Sequence, residues 1–447
     1  MRSAVSDHRA LALRQDLERA WARTDALFEL LSPEALAARP IGLRQPFIFY
    51  LGHLPAFAWN QVCRGLLGRA SFDPAFDDIF ARGIDPMEGD GLQSATAEAW
   101  PAASRVLTYR DRIRDLLRAA SLELEERAET DGDVLVQQGR ILDVVLEHEL
   151  MHHETLLYMV QQLPPALKVR PPNLPAPEGG GAPPPRTVAV PAGRVRVGED
   201  FDALPFGWDN EFGRADARVD AFAMDATPVR NREFLEFVEA GGYDRREHWR
   251  DEDWAWRERH RMAHPHMWRR STQGWTQQTL FDAVPLDDAG DWPVYVSWAE
   301  AHAYASWRGA RLPSEAEWLW AAYGSPRGGL RSHPWGEDPP TAHRGNFGLR
   351  HWSPTPVGRF RQGASAWGVL DLVGNGWEWT ATPFGPLPGF TPYIRTYPGY
   401  STDFFDGRHY VLRGASWATD ERLVRRSFRN WFQPHYPYVF AKFRTVR

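Results

Sequence analysis

The chain of 447 residues has one cysteine, Cys63. A single thiol forms no internal disulfide, excludes chemistry that needs two sulfurs from one chain, and suits a reducing cytosol. Long apolar runs are missing as well: none approaches the roughly 18 residues that a membrane-spanning helix needs. The stretch from Met1 to Arg14 is polar and charged, without the apolar core of a signal peptide. There is no excess of positive charge, since 52 Lys and Arg face 58 Asp and Glu for a net charge of -6. That removes the electrostatic footprint of a nucleic-acid binder. No repeat at a fixed period is present. A cytoplasmic protein with neither nucleic acid nor membrane as partner is the expectation. What the chain has in unusual amount is tryptophan, 21 residues, concentrated after residue 200, as rigid anchors or the walls of an aromatic pocket.

Periodicity divides the chain. Within a first domain of residues 1–163, about Ala10 to Leu163 reads as helical. Leu13, Leu17, Ala20, Thr24, Leu27 and Leu31 form a stripe at helical spacing, with Thr24 its one polar member. Phe47 to Leu67 is a second, apolar helix in which Pro55 is either a kink or the true start. Val106 to Ala128 is a third helix, and about Gln138 to Gln162 a fourth. Four such helices predict an antiparallel bundle, a usual place for metal sites. Residues 164–186 are a Pro/Gly-rich linker. Residues 187–447 change character. Val188–Val190, Val195–Val197 and Val219–Met224 read as strands, and Asn231–Ala240 and Trp298–Arg308 as helices. Gly241–Pro293 and His333–Gly407 read mostly as loop, of the kind that carries binding function over a small scaffold. Ser314 and Glu317 have the spacing of a capping box.

The fourth helix carries His148-Glu149-Leu150-Met151-His152-His153. His148 and His152 are four residues apart, so they share a helix face. Val145, Leu156 and Met159 fall close to that face and turn it inward. The literal match is H-E-x-x-H, a zinc peptidase motif with Glu149 as general base. A helical context and the lack of a downstream third ligand weigh against it. The bland alternative is a pair of core histidines, costly to satisfy without a shared partner. His153 points about 100° away on an ideal helix and is expected to be an outer contact or a surface residue. His53 is the lone histidine of an apolar helix, and beside an inward His148/His152 pair it becomes a candidate third ligand. Three neutral imidazoles on one side of a metal leave open positions opposite, which suits iron(II) that must bind substrate and dioxygen.

Gly52-His53, the His148/His152 pair, Phe206-Gly207-Trp208-Asp209-Asn210-Glu211, the run Gly374 to Thr380 and Phe428-Arg429-Asn430-Trp431 occur in this order. Together they resemble the non-heme iron sulfoxide synthases of ergothioneine and ovothiol biosynthesis, with a selenoneine synthase branch among their relatives. The resemblance implies an α+β architecture, with a DinB-like four-helix bundle followed by a loop-rich domain of the formylglycine-generating-enzyme type, which is C-type-lectin-like. It implies that His53, His148 and His152 bind Fe(2+). It also implies oxidative joining of a thiol or selenol donor to the imidazole of histidine or of hercynine, its trimethylated form, with O2. The substrates, and so the partners, are small molecules. Asn430 and Trp431 match positions that hold the hercynine carboxylate and trimethylammonium. A tyrosine after the Gly374–Thr380 run is the family's proton donor; Tyr393 is the first alignment choice, with Tyr397 and Tyr400 as competitors.

Departures from the family pattern bear on the donor. Met151 stands where a substrate-contacting glutamine is often found. Phe432 and Tyr436 fall where enzymes using γ-glutamylcysteine carry aspartate and arginine. Their arginine-rich loop is replaced by Ala81-Arg82-Gly83-Ile84-Asp85-Pro86-Met87, which leaves Arg82 as a basic candidate for substrate contact. A smaller or less charged donor follows, cysteine or a selenosugar. The ovothiol enzymes usually add a methyltransferase domain, for which no segment is read here. A formylglycine-generating oxidase is excluded, because its paired cysteines are absent.

Overall fold

The computed structural model describes residues 4–81, 100–128 and 130–447. It has two compact units, Met1–Pro172 with Tyr393–Pro398, and Asn173–Pro392 with Gly399–Arg447. Among the described residues no helix is long and apolar enough to cross a membrane.

The first unit is helical: α1 (Ala4–Phe28), α2 (Phe47–Ala58), the short α3 (Pro74–Phe80), α4 (Ala103–Arg127) and α5 (Arg140–Gln162). Leu13, Leu17 and Leu27 of α1, Ile113 and Leu117 of α4, and Val145, Leu156 and Met159 of α5 are buried. All twelve residues of α2 are buried, as expected of a helix that is apolar all round. It packs against α3, α4 and α5. Pro55 sits inside α2 and neither begins nor ends it. The irregularity comes just after it, where Trp59–Leu66 continues as a π-helix and the Leu67 N–H reaches back to the Val62 carbonyl at 3.0 Å. Such wide turns are rare and cluster at functional sites.

The second unit is built from short strands and long loops. β1 (Thr187–Val190) pairs antiparallel with β4 (Phe222–Asp225), and β2 (Gly193–Val197) with β3 (Ala215–Val219). Helix α6 (Asn231–Glu239) and α7 (Asp251–His260) follow. Next come a three-stranded sheet of β5 (Trp268–Ser271), β6 (Gly274–Gln278) and β7 (Ala283–Pro285), and then α8 (Leu286–Ala289), α9 (Trp298–Trp307) and α10 (Glu315–Tyr323). The largest sheet has the order β10-β9-β8-β11, from β8 (Gly376–Pro383), β9 (Tyr410–Ala415), β10 (Asn430–Phe432) and β11 (Ala441–Lys442). Helix α10 begins with Ser314 accepting from the Glu317 N–H, the capping box read from the sequence.

Two sequence expectations change here. Val219–Met224 is not one strand: β3 ends at Val219 and β4 starts at Phe222, each with a different partner. The break falls at Asp220, whose side chain is 94% exposed and has no place in a buried ladder. Gly241–Pro293 is also more regular than read, since it holds α7, α8 and β5–β7. Its tight β5–β6 turn passes through Gly274 at φ 110, and its strands are too short and polar to show a period.

Buried tryptophans tie remote segments of this unit together. The indole N–H of Trp379 donates to the Val296 carbonyl at 2.9 Å, that of Trp298 to Thr380 at 2.8 Å, and that of Trp320 to Pro191 at 2.8 Å. Beneath them Glu378 is fully buried. It accepts from Arg444 Nε at 2.8 Å and Trp318 Nε1 at 2.7 Å, with Lys442 Nζ 3.3 Å away. Burial pushes the Glu378 carboxyl up, but Arg444 and Lys442 outweigh it and hold its pKa below the usual range. Glu378→Gln should therefore lower the unfolding free energy by about 3–5 kcal/mol, because two buried cations lose their counter-charge. Urea denaturation reads this. The gap to the native protein should close as pH falls through the lowered native pKa, where the native carboxyl is also protonated.

Candidate metal centre

Packing α2 against α5 brings His53, His148 and His152 together. One ring nitrogen from each lies within 4.8 Å of the other two, and all three residues are buried. The Nε2 atoms of His148 and His152 face each other at 3.2 Å, as the i,i+4 spacing requires. His53 uses Nδ1 to reach the Phe80 carbonyl at 2.8 Å. Its Nε2 is left buried with no partner among the described residues. Aromatic rings enclose the group: Phe57 stacks on His148 at 3.5 Å and 7°, and Phe49 on His53 at 4.9 Å and 21°.

Burial dominates the electrostatics. It pushes His53 down to about 4, against the raising effect of its bond to Phe80. His148 and His152 are pushed well below the ordinary range by burial and then by neighbouring imidazoles. All three are neutral at pH 7 and offer lone pairs. An orphaned buried Nε2 beside two converging Nε2 atoms fits a divalent transition metal, and three neutral imidazoles are a common ligand set for one.

Glu149 does not share this face. Its carboxyl meets the Thr24 hydroxyl of α1 and lines a small recess with Trp21, Leu54 and Arg114. A peptidase needs that carboxylate beside the metal-bound water, and α5 turns it toward α1 and α4 instead. Thr24, the polar member of the α1 stripe, also stands 2.8 Å from His153 Nε2. His153 is 1% exposed, so the surface alternative for it fails.

The other sequence candidates are distributed as follows. Met151 is partly buried on α5. Tyr393 and Tyr397 lie in the segment Tyr393–Pro398, which belongs to the first unit. The Tyr397 ring meets Phe57 edge-on at 5.1 Å, and Phe57 in turn covers His148. Tyr393 contributes a carbonyl to the turn in this segment, accepting from the Arg395 N–H at 2.9 Å. Tyr400 belongs to the second unit and stacks on Trp208 at 3.8 Å. Asn430 and Trp431 form β10, and Trp431 stacks on Phe384 at 4.1 Å with Tyr400 edge-on at 5.3 Å. Phe432 and Tyr436 stack face to face at 5.4 Å and 2°. Arg82 and the loop that follows it lie outside the described residues.

Sequence reasoning missed Phe57, Phe49 and Phe80. Phe57 and Phe49 are four residues either side of His53, so the helical period could have placed both on its face. The Phe80 carbonyl leaves no sequence signal. Gly52 lets Phe80 approach: a Cβ at Gly52 would lie 2.4 Å from the Phe80 ring. Gly52→Ala should cost about 1–3 kcal/mol through overpacking and weaken metal binding by moving the His53 anchor. Denaturation and metal titration of the same variant check both effects.

Comparison with known proteins adds the lineage. Residues 16–156 match the DinB superfamily, and residues 174–447 match the sulfatase-modifying factor enzyme 1-like domain. The hercynine oxygenase of Mycobacterium tuberculosis is 34% identical, over 96% of this chain and 97% of that protein. The hercynine oxygenase of Mycolicibacterium smegmatis is 38% identical, over 68% of this chain and 70% of that protein. Ergothioneine biosynthesis protein 1 of Neurospora crassa is 29% identical over 98% of this chain, which spans 58% of the fungal protein. With a DinB-type bundle, a sulfatase-modifying-factor-type domain and end-to-end similarity to such a relative, the chain belongs to the sulfoxide synthase family of the ergothioneine and ovothiol type.

Proposed function

We propose that this protein is an iron(II)- and dioxygen-dependent synthase that joins a sulfur or selenium donor to an imidazole carbon of hercynine. The buried cluster of His53, His148 and His152 is the observation that carries the reading, together with relatives named for hercynine oxygenation. These three imidazoles would hold the iron, which when bound supplies acidification of the donor and activation of dioxygen.

The chain's own residues do the rest. Burial keeps the three imidazoles neutral and so available as ligands. Phe57 and Phe49 screen them from water. Tyr397, edge-on to Phe57, is the proton donor of choice over Tyr393 and Tyr400, because its ring meets the wall of the histidine cluster. Trp431, braced by Phe384 and Tyr400, offers an aromatic face suited to a quaternary ammonium. The Asn430 side-chain oxygen accepts from the Trp431 N–H at 2.9 Å, which leaves its amide N–H pair to donate to a carboxylate.

The donor is less charged than γ-glutamylcysteine. Where the family's users of that dipeptide place aspartate and arginine, this chain stacks Phe432 on Tyr436, and neither ring can pair with a γ-glutamyl head group. Cysteine or a selenosugar fits this pair. When hercynine is offered with cysteine, γ-glutamylcysteine and a selenosugar in competition, mass spectrometry should find a cysteine or selenosugar adduct in excess. A predominant γ-glutamylcysteine adduct would overturn the donor assignment, and no adduct with any of them would overturn the reaction. In the same assay Tyr397→Phe should lower turnover roughly 100-fold or more, the scale of a lost general acid, with metal content unchanged. An undiminished rate would return the role to Tyr393 or Tyr400.

A further inference from the structure

A metal held through the Nε2 atoms of His148 and His152 forces the remaining proton of each ring onto Nδ1, which then becomes an obligate donor. Ligand imidazoles ordinarily give that proton to an acceptor that fixes the ring. His53 makes the equivalent arrangement visible, with its far nitrogen on the Phe80 carbonyl. His152 does not: its Nδ1 is buried and without a partner among the described residues.

A second buried polar atom without a partner among the described residues belongs to a neighbouring ring. Tyr50 lies on α2, three residues before His53, and is 0% exposed. Its ring is 5.6 Å from that of His152, tilted by 55°, and 6.5 Å from that of His53. The Tyr50 hydroxyl makes no hydrogen bond of ordinary geometry among the described residues, and the Gln45 backbone N–H lies close enough to favour the ionised phenol. A buried hydroxyl and a buried imidazole nitrogen, each unsatisfied and in adjacent rings, are costly apart and complementary together. Arg44 completes the wall. Its Nε donates to the Tyr158 hydroxyl at 2.9 Å, and its guanidinium lies 5.8 Å from the Tyr158 ring centre. Burial raises the Tyr50 phenol pKa well above its ordinary value, with the Arg44 charge pulling the other way. The group is therefore a neutral hydroxyl with lone pairs to offer.

We infer that Tyr50 is a positioning residue of the metal centre, its hydroxyl oxygen accepting the Nδ1–H of His152 when a metal takes the Nε2 side. The inference rests on the three-histidine metal site proposed above. Tyr50 touches neither substrate nor metal. It acts by fixing the tautomer and orientation of one ligand ring, so its loss is felt in the metal and not in the fold.

Tyr50→Phe separates these outcomes. In the metal-free protein the hydroxyl makes no hydrogen bond of ordinary geometry, so thermal unfolding should be little changed. Cobalt(II) titration, followed by its visible ligand-field bands, should show affinity lower by roughly 10–100-fold, the usual effect of removing an outer partner of a ligand histidine. Tyr243→Phe is the control for deleting a buried hydroxyl, since Tyr243 of the second unit donates to Glu300 at 2.5 Å; it should lower stability and leave cobalt affinity alone. A measurement on the native protein stands independently of any variant. Loaded with zinc(II) as a diamagnetic probe and labelled with 15N-histidine, it should show a slowly exchanging Nδ1–H from His152. Absence of that signal, or cobalt affinity equal to wild type in a folded Tyr50→Phe, overturns the inference while leaving the metal site standing. A native protein that binds neither metal overturns both.

Discussion

Three neutral imidazoles share one apolar core, and the structure of the bundle depends on making that tolerable. Each ring brings two nitrogens that water would otherwise satisfy. Among the described residues only the Nδ1 of His53 finds a carbonyl, and the Nε2 atoms of His148 and His152 are left to face each other. The surroundings answer this with apolar bulk: an α2 without a polar face, and phenylalanines stacked on two of the three rings. Such packing excludes water and keeps the imidazoles uncharged. It also leaves lone pairs that a metal would satisfy better than anything else in the core. The tension that disfavours the empty site is the same tension that makes it a ligand set.

The arrangement also separates two roles that the local motif H-E-x-x-H would combine. On α5, residues 148 and 152 face α2, and residue 149 faces α1. Thr24 donates to Glu149 and meets His153, so the polar groups flanking the histidine pair are occupied in a second network about 100° round the helix. A carboxylate held there serves packing and orientation of α5. The helix thus carries the paired histidines on one face and its own anchorage on another, so the carboxylate that a zinc peptidase would need beside its metal is held away from them.

The second unit solves a different problem. Its strands are short and most of its length is loop, so little backbone is satisfied by ladders. Tryptophan compensates: a ring large enough to fill the core carries one N–H that reaches a carbonyl in a remote segment. Trp379 on β8 and Trp320 on α10 each tie a loop carbonyl to a regular element, and Trp298 ties α9 to β8. Glu378, with Arg444, Lys442 and Trp318 around it, does the same with charge at the centre of the β8–β9 sheet. A loop-rich surface can then present side chains such as Asn430 and Trp431 from a rigid base.

Much of this was legible in the residues alone. Apolar runs and periods define the four helices, a proline-rich stretch separates two kinds of sequence, and the i,i+4 histidines could face only one way on a helix. These features are local, set by periods of 3.6 residues and by backbone geometry. The family resemblance rests on motif order and also needs no coordinates. What the sequence could not decide is whatever depends on contact between distant segments. Nothing near residue 53 says that the Phe80 carbonyl will hold its ring, or that Gly52 is glycine so that Phe80 can approach. Alignment placed Tyr393 ahead of Tyr397, because spacing in a loop carries no period; packing brings Tyr397 onto Phe57. Thr24 looked like a flaw in an apolar stripe until α5 supplied Glu149 and His153. Short-range periodicity determined the elements and put His148 and His152 on one face, and long-range packing decided which atoms the three histidines present and what stands beside them, because contact between distant segments leaves no local period.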